Sequence, residues 1–159
     1  MHNYLPSVAK SYLQIAGTDE PIQLGYYSQL LEDDFEKLLT TFRPKDMMLQ
    51  RTTIGIHKDD IDLKLNNENF KNTASQGQRK SLLFALKLKE FEELKSAKGF
   101  APVLLLDDVF EKLDAGRMQN LLQHVCVESK SQIFITDTHK ERLQQALEKL
   151  KVPFQLIGL

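Results

Sequence analysis

The sequence predicts an α/β fold: a parallel sheet in the C-terminal two thirds, with a smaller helical and β-containing appendage before it. Three observations carry this. From Val103 onward, apolar runs and amphipathic stretches alternate as strand, helix, strand, helix, strand with short links, the pattern of βαβ crossovers. One of those runs, VLLLDD at residues 103–108, passes directly from apolar residues into two carboxylates. A long amphipathic segment, SQGQRKSLLFALKLKEFEELKSAKG, precedes it, opened by a serine and closed by a glycine.

Composition bounds the function. The chain has 159 residues, 42% hydrophobic and 27% charged, enough for one sizeable core. Its 21 basic and 22 acidic residues give a net charge of −1, which excludes a global polycation but not a local basic patch. The single cysteine, Cys126, excludes an intrachain disulfide and suits a reducing compartment, and its run LLQHVCV reads as packing. No run is long enough to span a bilayer and the first residues lack a signal-peptide core, so a cytoplasmic, non-membrane chain is expected.

In order along the chain, residues 2–42 read as a helix, a short β-like stretch IQLGYYSQL, and an acidic helix LEDDFEKLLTTF that Arg43-Pro44 should break. Two strands are expected next, MLQRTTIGI and DIDLKL, paired as a hairpin through HKD; the second alternates Ile61, Leu63 and Leu65. Asn66-Asn67 signals a turn into a further hairpin. After Ser75 the period becomes helical, with Leu82, Ala85, Leu86, Phe91 and Leu94 expected on one face. A strand at 103–107, a helix from Ala115 to Val127, a strand QIFIT, a helix HKERLQQALEKL and a last strand PFQLI complete the chain.

In an open parallel sheet ligands bind beyond the carboxyl ends of the strands. Asp107 and Asp108 fall there. A carboxylate in that place can hold Mg²⁺ while its neighbour orients or deprotonates a water, so the pair has the form of a Walker B motif; an Asp that simply caps the following turn is the plainer alternative. At the head of the long helix, backbone N–H groups and the Ser75 hydroxyl can serve a phosphate, or Ser75 can be an ordinary helix cap. No Cys/His spacing suggests zinc.

Together, ASQGQRKSLLFALKLKEFEEL, APVLLLDDVFEKLDAGR, TTIGIHKDDIDL and QIFITDT resemble the C-terminal part of the RecF family, recombination-repair ATPases of the ABC/SMC-like class. The resemblance runs over roughly residues 45–140. It implies that residues 1–44 are the distal part of a helical lever subdomain, and residues 45–159 the C-terminal half of an ABC-type ATPase lobe with a β-hairpin, signature helix, Walker B and D-loop. It implies further that Ser75, Gln76, Gly77 and Gln78 form the signature motif facing an ATP held by the other subunit of an ATP-dependent homodimer. Asp107 then supports Mg²⁺, Asp108 is the catalytic acid, Asp114 is the D-loop aspartate at the dimer interface, and Thr136 and Asp137 stand nearest the switch position, with His139 further on. The implied partners are gapped DNA and RecO, RecR and RecA. Ile56 and Lys58 stand where the family has proline and arginine, and EKLD replaces the commoner SELD.

One element of such an ATPase is absent from these residues. A phosphate-cradling loop needs GxxxxGK[ST], and none of the seven glycines is followed by lysine. The chain is therefore expected to be part of a RecF-like protein that carries half of each composite ATP site and does not hydrolyse ATP alone. The alternative is a self-sufficient, non-catalytic module, derived from half of such an ATPase, that binds protein or DNA.

Overall fold

A computed structural model describes residues 3–108, 111–129 and 131–158. It contains two sheets and six helices among these residues, together with short 3₁₀ turns at Gln29–Leu31 and Ile56–Lys58.

Helix α1 (Tyr4–Ala16) exists because Leu5, Val8, Tyr12 and Ile15 recur at helical spacing, and all four are buried. It stops at Gly17, which takes φ 67° and donates its N–H to the Leu13 carbonyl at 3.0 Å. Glycine is needed here for space as well: a Cβ at Gly17 would lie 2.4 Å from Asn120 Nδ2, which itself donates to the Ile15 carbonyl at 3.2 Å.

Strand β1 (Ile22–Tyr27) pairs antiparallel along its whole length with β2 (Asp60–Leu65), from Ile22 opposite Leu65 to Tyr27 opposite Asp60. The alternation of Ile61, Leu63 and Leu65 puts them, with Ile22 and Leu24, on the covered face. Asn66 and Asn67 both take positive φ, 53° and 66°, the pattern of a type I′ turn, and lead into the short β3 (Glu68–Asn69).

This pairing overturns the expected hairpin of MLQRTTIGI with DIDLKL. The edge of β2 which that hairpin required is occupied by β1, so Met48 and Leu49 have no ladder to join and finish helix α2 (Phe35–Leu49) instead. The break expected at Arg43-Pro44 is likewise not made; α2 runs through Pro44. Asp34 caps its start, accepting from Glu36 N at 2.9 Å, and the Asp46 carboxylate near its end accepts both the N–H and the hydroxyl of Thr53, at 2.9 and 2.6 Å. No residue of α2 is buried.

After the single turn α3 (Phe70–Thr73), helix α4 (Gln76–Lys98) is bounded by the two residues that predicted it. Ser75 and Gln78 form a reciprocal capping box, and Gly99 closes the helix at φ 74°. Ser81, Leu82, Phe84, Ala85, Leu88 and Phe91 make its buried face; Leu94, expected there, is 47% exposed because the helix outruns the core before its last turn.

Strands β4 (Leu104–Leu106) and β5 (Ile133–Ile135) pair in parallel, Leu104 opposite Ile133 and Leu106 opposite Ile135. Helix α5 (Ala115–Leu122), continued by a π-helical stretch to Glu128, forms the crossover between them. Helix α6 (Lys140–Leu150) follows. The apolar run at β4 is covered on one side only: Val103 is 54% and Leu105 71% exposed, since no described element covers that face of the two-stranded sheet. The predicted last strand PFQLI does not form. Pro153 removes a ladder donor, and Phe154 and Ile157 lie exposed beyond α6.

The core joins α1 to α4, α5 and α6. Val8, Tyr12, Ile15, Ala85, Leu121, Leu122 and Val125 are fully buried within it.

Candidate functional site

Asp107 and Asp108 stand immediately after β4, both exposed. Their position is fixed from the neighbouring strand. Thr136, one residue beyond β5, donates its N–H to the Leu106 carbonyl at 2.9 Å. Its hydroxyl donates to Asp107 Oδ1 and accepts the N–H of Asp108 at 3.2 Å. One threonine therefore holds the backbone of one aspartate and the side chain of the other. Among the described residues the Asp108 carboxylate accepts no hydrogen bond, and its backbone is left-handed, φ 46°. Asp137 Oδ1 accepts the N–H of His139 at 2.6 Å and so shapes the entry to α6.

The head of α4 lies against the loop that follows these aspartates. A Cβ on Gly77 would sit 3.2 Å from the Lys112 carbonyl oxygen, so the two backbones touch here. Lys80 Nζ donates to the carbonyls of Asp108 and Glu111, at 2.7 and 2.9 Å. Ser75 uses its oxygen to accept Gln78 N at 3.2 Å, while Gln78 Oε1 accepts Ser75 N at 2.8 Å. Gln76 is exposed in the first turn. Asp114 caps α5, accepting Arg117 N at 2.8 Å, and its other oxygen lies 3.3 Å from Arg117 Nε.

Sequence reasoning missed the pair that ties these parts together. Arg117, only 8% exposed, donates to Glu20 Oε1 and, from Nη1, to the buried Ser81 hydroxyl at 3.0 Å. Glu20 also accepts from the Tyr12 hydroxyl, from Thr18 at 3.2 Å and from Gln78 Nε2 at 3.2 Å. One carboxylate from the loop between α1 and β1 thus meets the heads of both α4 and α5. No local pattern marks it, because the two partners are 97 residues apart and each reads alone as a solvated charge.

Burial alone would raise the Glu20 carboxyl; the Tyr12 hydroxyl, the Arg117 guanidinium, Gln78 and Thr18 outweigh it and hold it below the usual value of about 4.5. Burial first, and then the carboxylate it serves, pushes the Tyr12 hydroxyl well above its ordinary value. Because folding lowers the Glu20 pKa, the unfolded chain binds the proton more readily, and the contribution to stability is complete above about pH 4.5 and fades as pH falls through the lower, folded value. The stability gap between the parent and Glu20→Gln, measured by urea unfolding, should be constant near neutrality and narrow below about pH 4.5. A gap unchanged down to pH 3 would refute it.

The donor set is compatible with a partly hydrated Mg²⁺. Two exposed, adjacent carboxylates supply one or two oxygens, and Mg²⁺ is commonly held by that many, with waters and substrate phosphates completing the octahedron. Among the described residues no group of three or more His, Cys, Asp or Glu could enclose a metal without such help.

Comparison with known proteins gives a consistent answer. The chain is 38% identical over 159 residues to the DNA replication and repair protein RecF of Flavobacterium johnsoniae, 39% over 154 residues to that of Azobacteroides pseudotrichonymphae, and 34% over 160 residues to that of Porphyromonas gingivalis. These alignments cover 97 to 100% of the chain. The chain is RecF-like along its whole length. It spans less than half of these relatives, 42 to 44% of their lengths. Two solved structures of the recombination mediator protein RecF of the RecFOR pathway, one with ATPrS and one with ATP, superpose with TM-scores of 0.66 and 0.65 at 25% identity. Each match covers 88% of this chain and 39% of the other. The α/β fold of the RecF-like chain is therefore that of the matching part of these RecF structures. No protein-family model matches it. Among the described residues, no helix is long and apolar enough to cross a membrane.

Proposed function

We propose that the chain supplies the signature helix, Walker B aspartates and D-loop of a RecF-like ATPase that binds DNA in recombinational repair. The observation that carries this reading is the juxtaposition of Asp107 and Asp108, held by Thr136 at the end of a parallel strand pair, with the capped head of α4 against the same loop. Relatives at 34 to 39% identity bear the name of a DNA replication and repair protein, and the matched structures are of RecF with ATP and ATPrS.

On this reading Asp107 would hold Mg²⁺, which would supply charge to offset that of the phosphate oxygens. Asp108, whose carboxylate accepts no hydrogen bond among the described residues, would orient the attacking water and take its proton. The head of α4, with Ser75, Gln76, Gly77 and Gln78, meets the phosphates of a nucleotide carried by a second copy in an ATP-dependent homodimer. There the N-terminal dipole of the helix favours negative charge. Asp114, at the cap of α5, lies at the dimer contact, and Thr136 and Asp137 respond to the nucleotide from β5. Gapped DNA and the RecO, RecR and RecA proteins are the partners of the whole assembly.

The test separates the chain from the whole. By itself the chain should show no ATP turnover. Expressed with the part of the protein that lies beyond this chain in its longer relatives, it should hydrolyse ATP, and Asp108→Asn should reduce kcat by at least about 100-fold, on the order of 2.7 kcal/mol of barrier. Turnover by Asp108→Asn equal to the parent would overturn the role of Asp108.

A further inference from the structure

We propose that Lys80 is a positioning residue for Asp108: its ammonium fixes the backbone of the acid loop from the side of α4. This rests on the reading of Asp108 as the group that manages water.

Asp108 and Lys112 both take left-handed φ, 46° and 67°, a region that costs a residue with a Cβ some strain, less for Asp than for Lys. The loop's own amino acids provide no glycine to relax it between Asp108 and Asp114. Two of its carbonyls, those of Asp108 and Glu111, converge on one donor, Lys80 Nζ, at 2.7 and 2.9 Å. Charge-assisted bonds of this kind are short and strong, and the lysine stem is half-buried against the protein and so partly ordered. Gly77, one turn earlier on the same helix, allows the backbone contact with Lys112 that brings the loop within reach of Lys80.

Asp108 is thus held at two backbone points. Thr136 takes its N–H from the β5 side and Lys80 takes its C=O from the α4 side. With its N–H and its C=O both held, the direction of the Asp108 Cα–Cβ bond is set, and among the described residues its carboxylate accepts no hydrogen bond. Lys80 acts through that backbone and touches no reacting atom.

The experiment uses the protein that includes the nucleotide-binding remainder, with ATP as the probe. Lys80→Met should lower kcat about tenfold while KM for ATP stays within twofold and the melting temperature stays within a few degrees. Lys80→Arg, which keeps a cation able to reach two carbonyls, should recover activity to within about threefold of the parent. Combined with Asp108→Asn, Lys80→Met should cost nothing further, since its whole effect passes through that carboxylate. Multiplicative losses in the double variant, or a Lys80→Met enzyme within twofold of the parent, would overturn the proposal. If Asp108→Asn turns over normally, the reading of Asp108 fails instead. The positioning role is then decided by amide NMR of the chain: shifts at Asp108, Glu111 and Lys112 on Lys80→Met sustain it, and unmoved resonances refute it.

Discussion

Replacing Arg117 by methionine should lower the folding stability of this chain by about 3 to 5 kcal/mol, the cost typical of removing one partner from a buried ion pair. The guanidinium is nearly closed off from solvent and serves Glu20, Ser81 and Asp114 at once. Methionine fills much of the same volume, so the loss is not mainly a cavity. It leaves the Glu20 carboxylate, with a side chain only 15% exposed, without its countercharge, and leaves the buried Ser81 hydroxyl without its donor. Exposed pairs behave differently: Lys87–Glu90 and Lys37–Asp33 are solvated, and losing either should cost well under about 1 kcal/mol. The double variant Arg117→Met with Glu20→Gln should be more stable than Arg117→Met alone, because the stranded charge is gone. Urea unfolding of the four species at pH 7 measures both effects. A loss below about 1 kcal/mol for Arg117→Met would show that water already screens the pair.

That network was the part of the molecule least legible in the sequence, for a physical reason. Local signals specify local structure. Ser75, Gln78 and Gly99 sit in one stretch and fix α4 by capping chemistry that any sequence of this kind shares, and the helix begins and ends where they stand. The same holds for Asn66-Asn67 as a turn and for the placement of Asp107 directly after a parallel strand. Competition between distant segments is invisible in that way. MLQRTTIGI has strand composition, but β1, some 20 residues earlier, takes the edge of β2, and Met48 and Leu49 join the helix they equally favour. Pro44 was read as a stop, yet a solvent-facing helix with no buried residue can lose one hydrogen bond without losing packing. No pattern links Glu20 to Arg117; only the docking of α1 onto α4 and α5 brings the two together. Lys80 carries no local signal of its role either, since its two carbonyl acceptors lie 28 and 31 residues away.

The same docking governs the second large effect. Leu121→Ala should lower stability by about 3 kcal/mol, within the range of buried leucine truncations, and the melting temperature by on the order of 10 °C for a chain of this size. Leu121 is fully buried on α5 where it meets the core that also contains Val8, Tyr12 and Ile15 of α1 and Ala85 of α4, so the site cannot refill from solvent or collapse without moving a helix. Polar bonds tie the same helices: Tyr4 donates to the Leu86 carbonyl at 3.0 Å, Asn120 to the Ile15 carbonyl at 3.2 Å, and Arg117 to Glu20. If residues 4–27 belong to one cooperative unit with α4 and α5, the truncation shifts a single unfolding transition, and amide protection falls together in α1, α4 and α5. An early, separate loss of α1 protection with α4 unaffected would instead make the N-terminal segment an independent piece. The geometry favours the first outcome: α1 packs against α4 and α5, whose heads carry Gln78, Lys80 and Asp114. Loosening that helix packing should therefore loosen the heads of α4 and α5, and with them the loop behind Asp108.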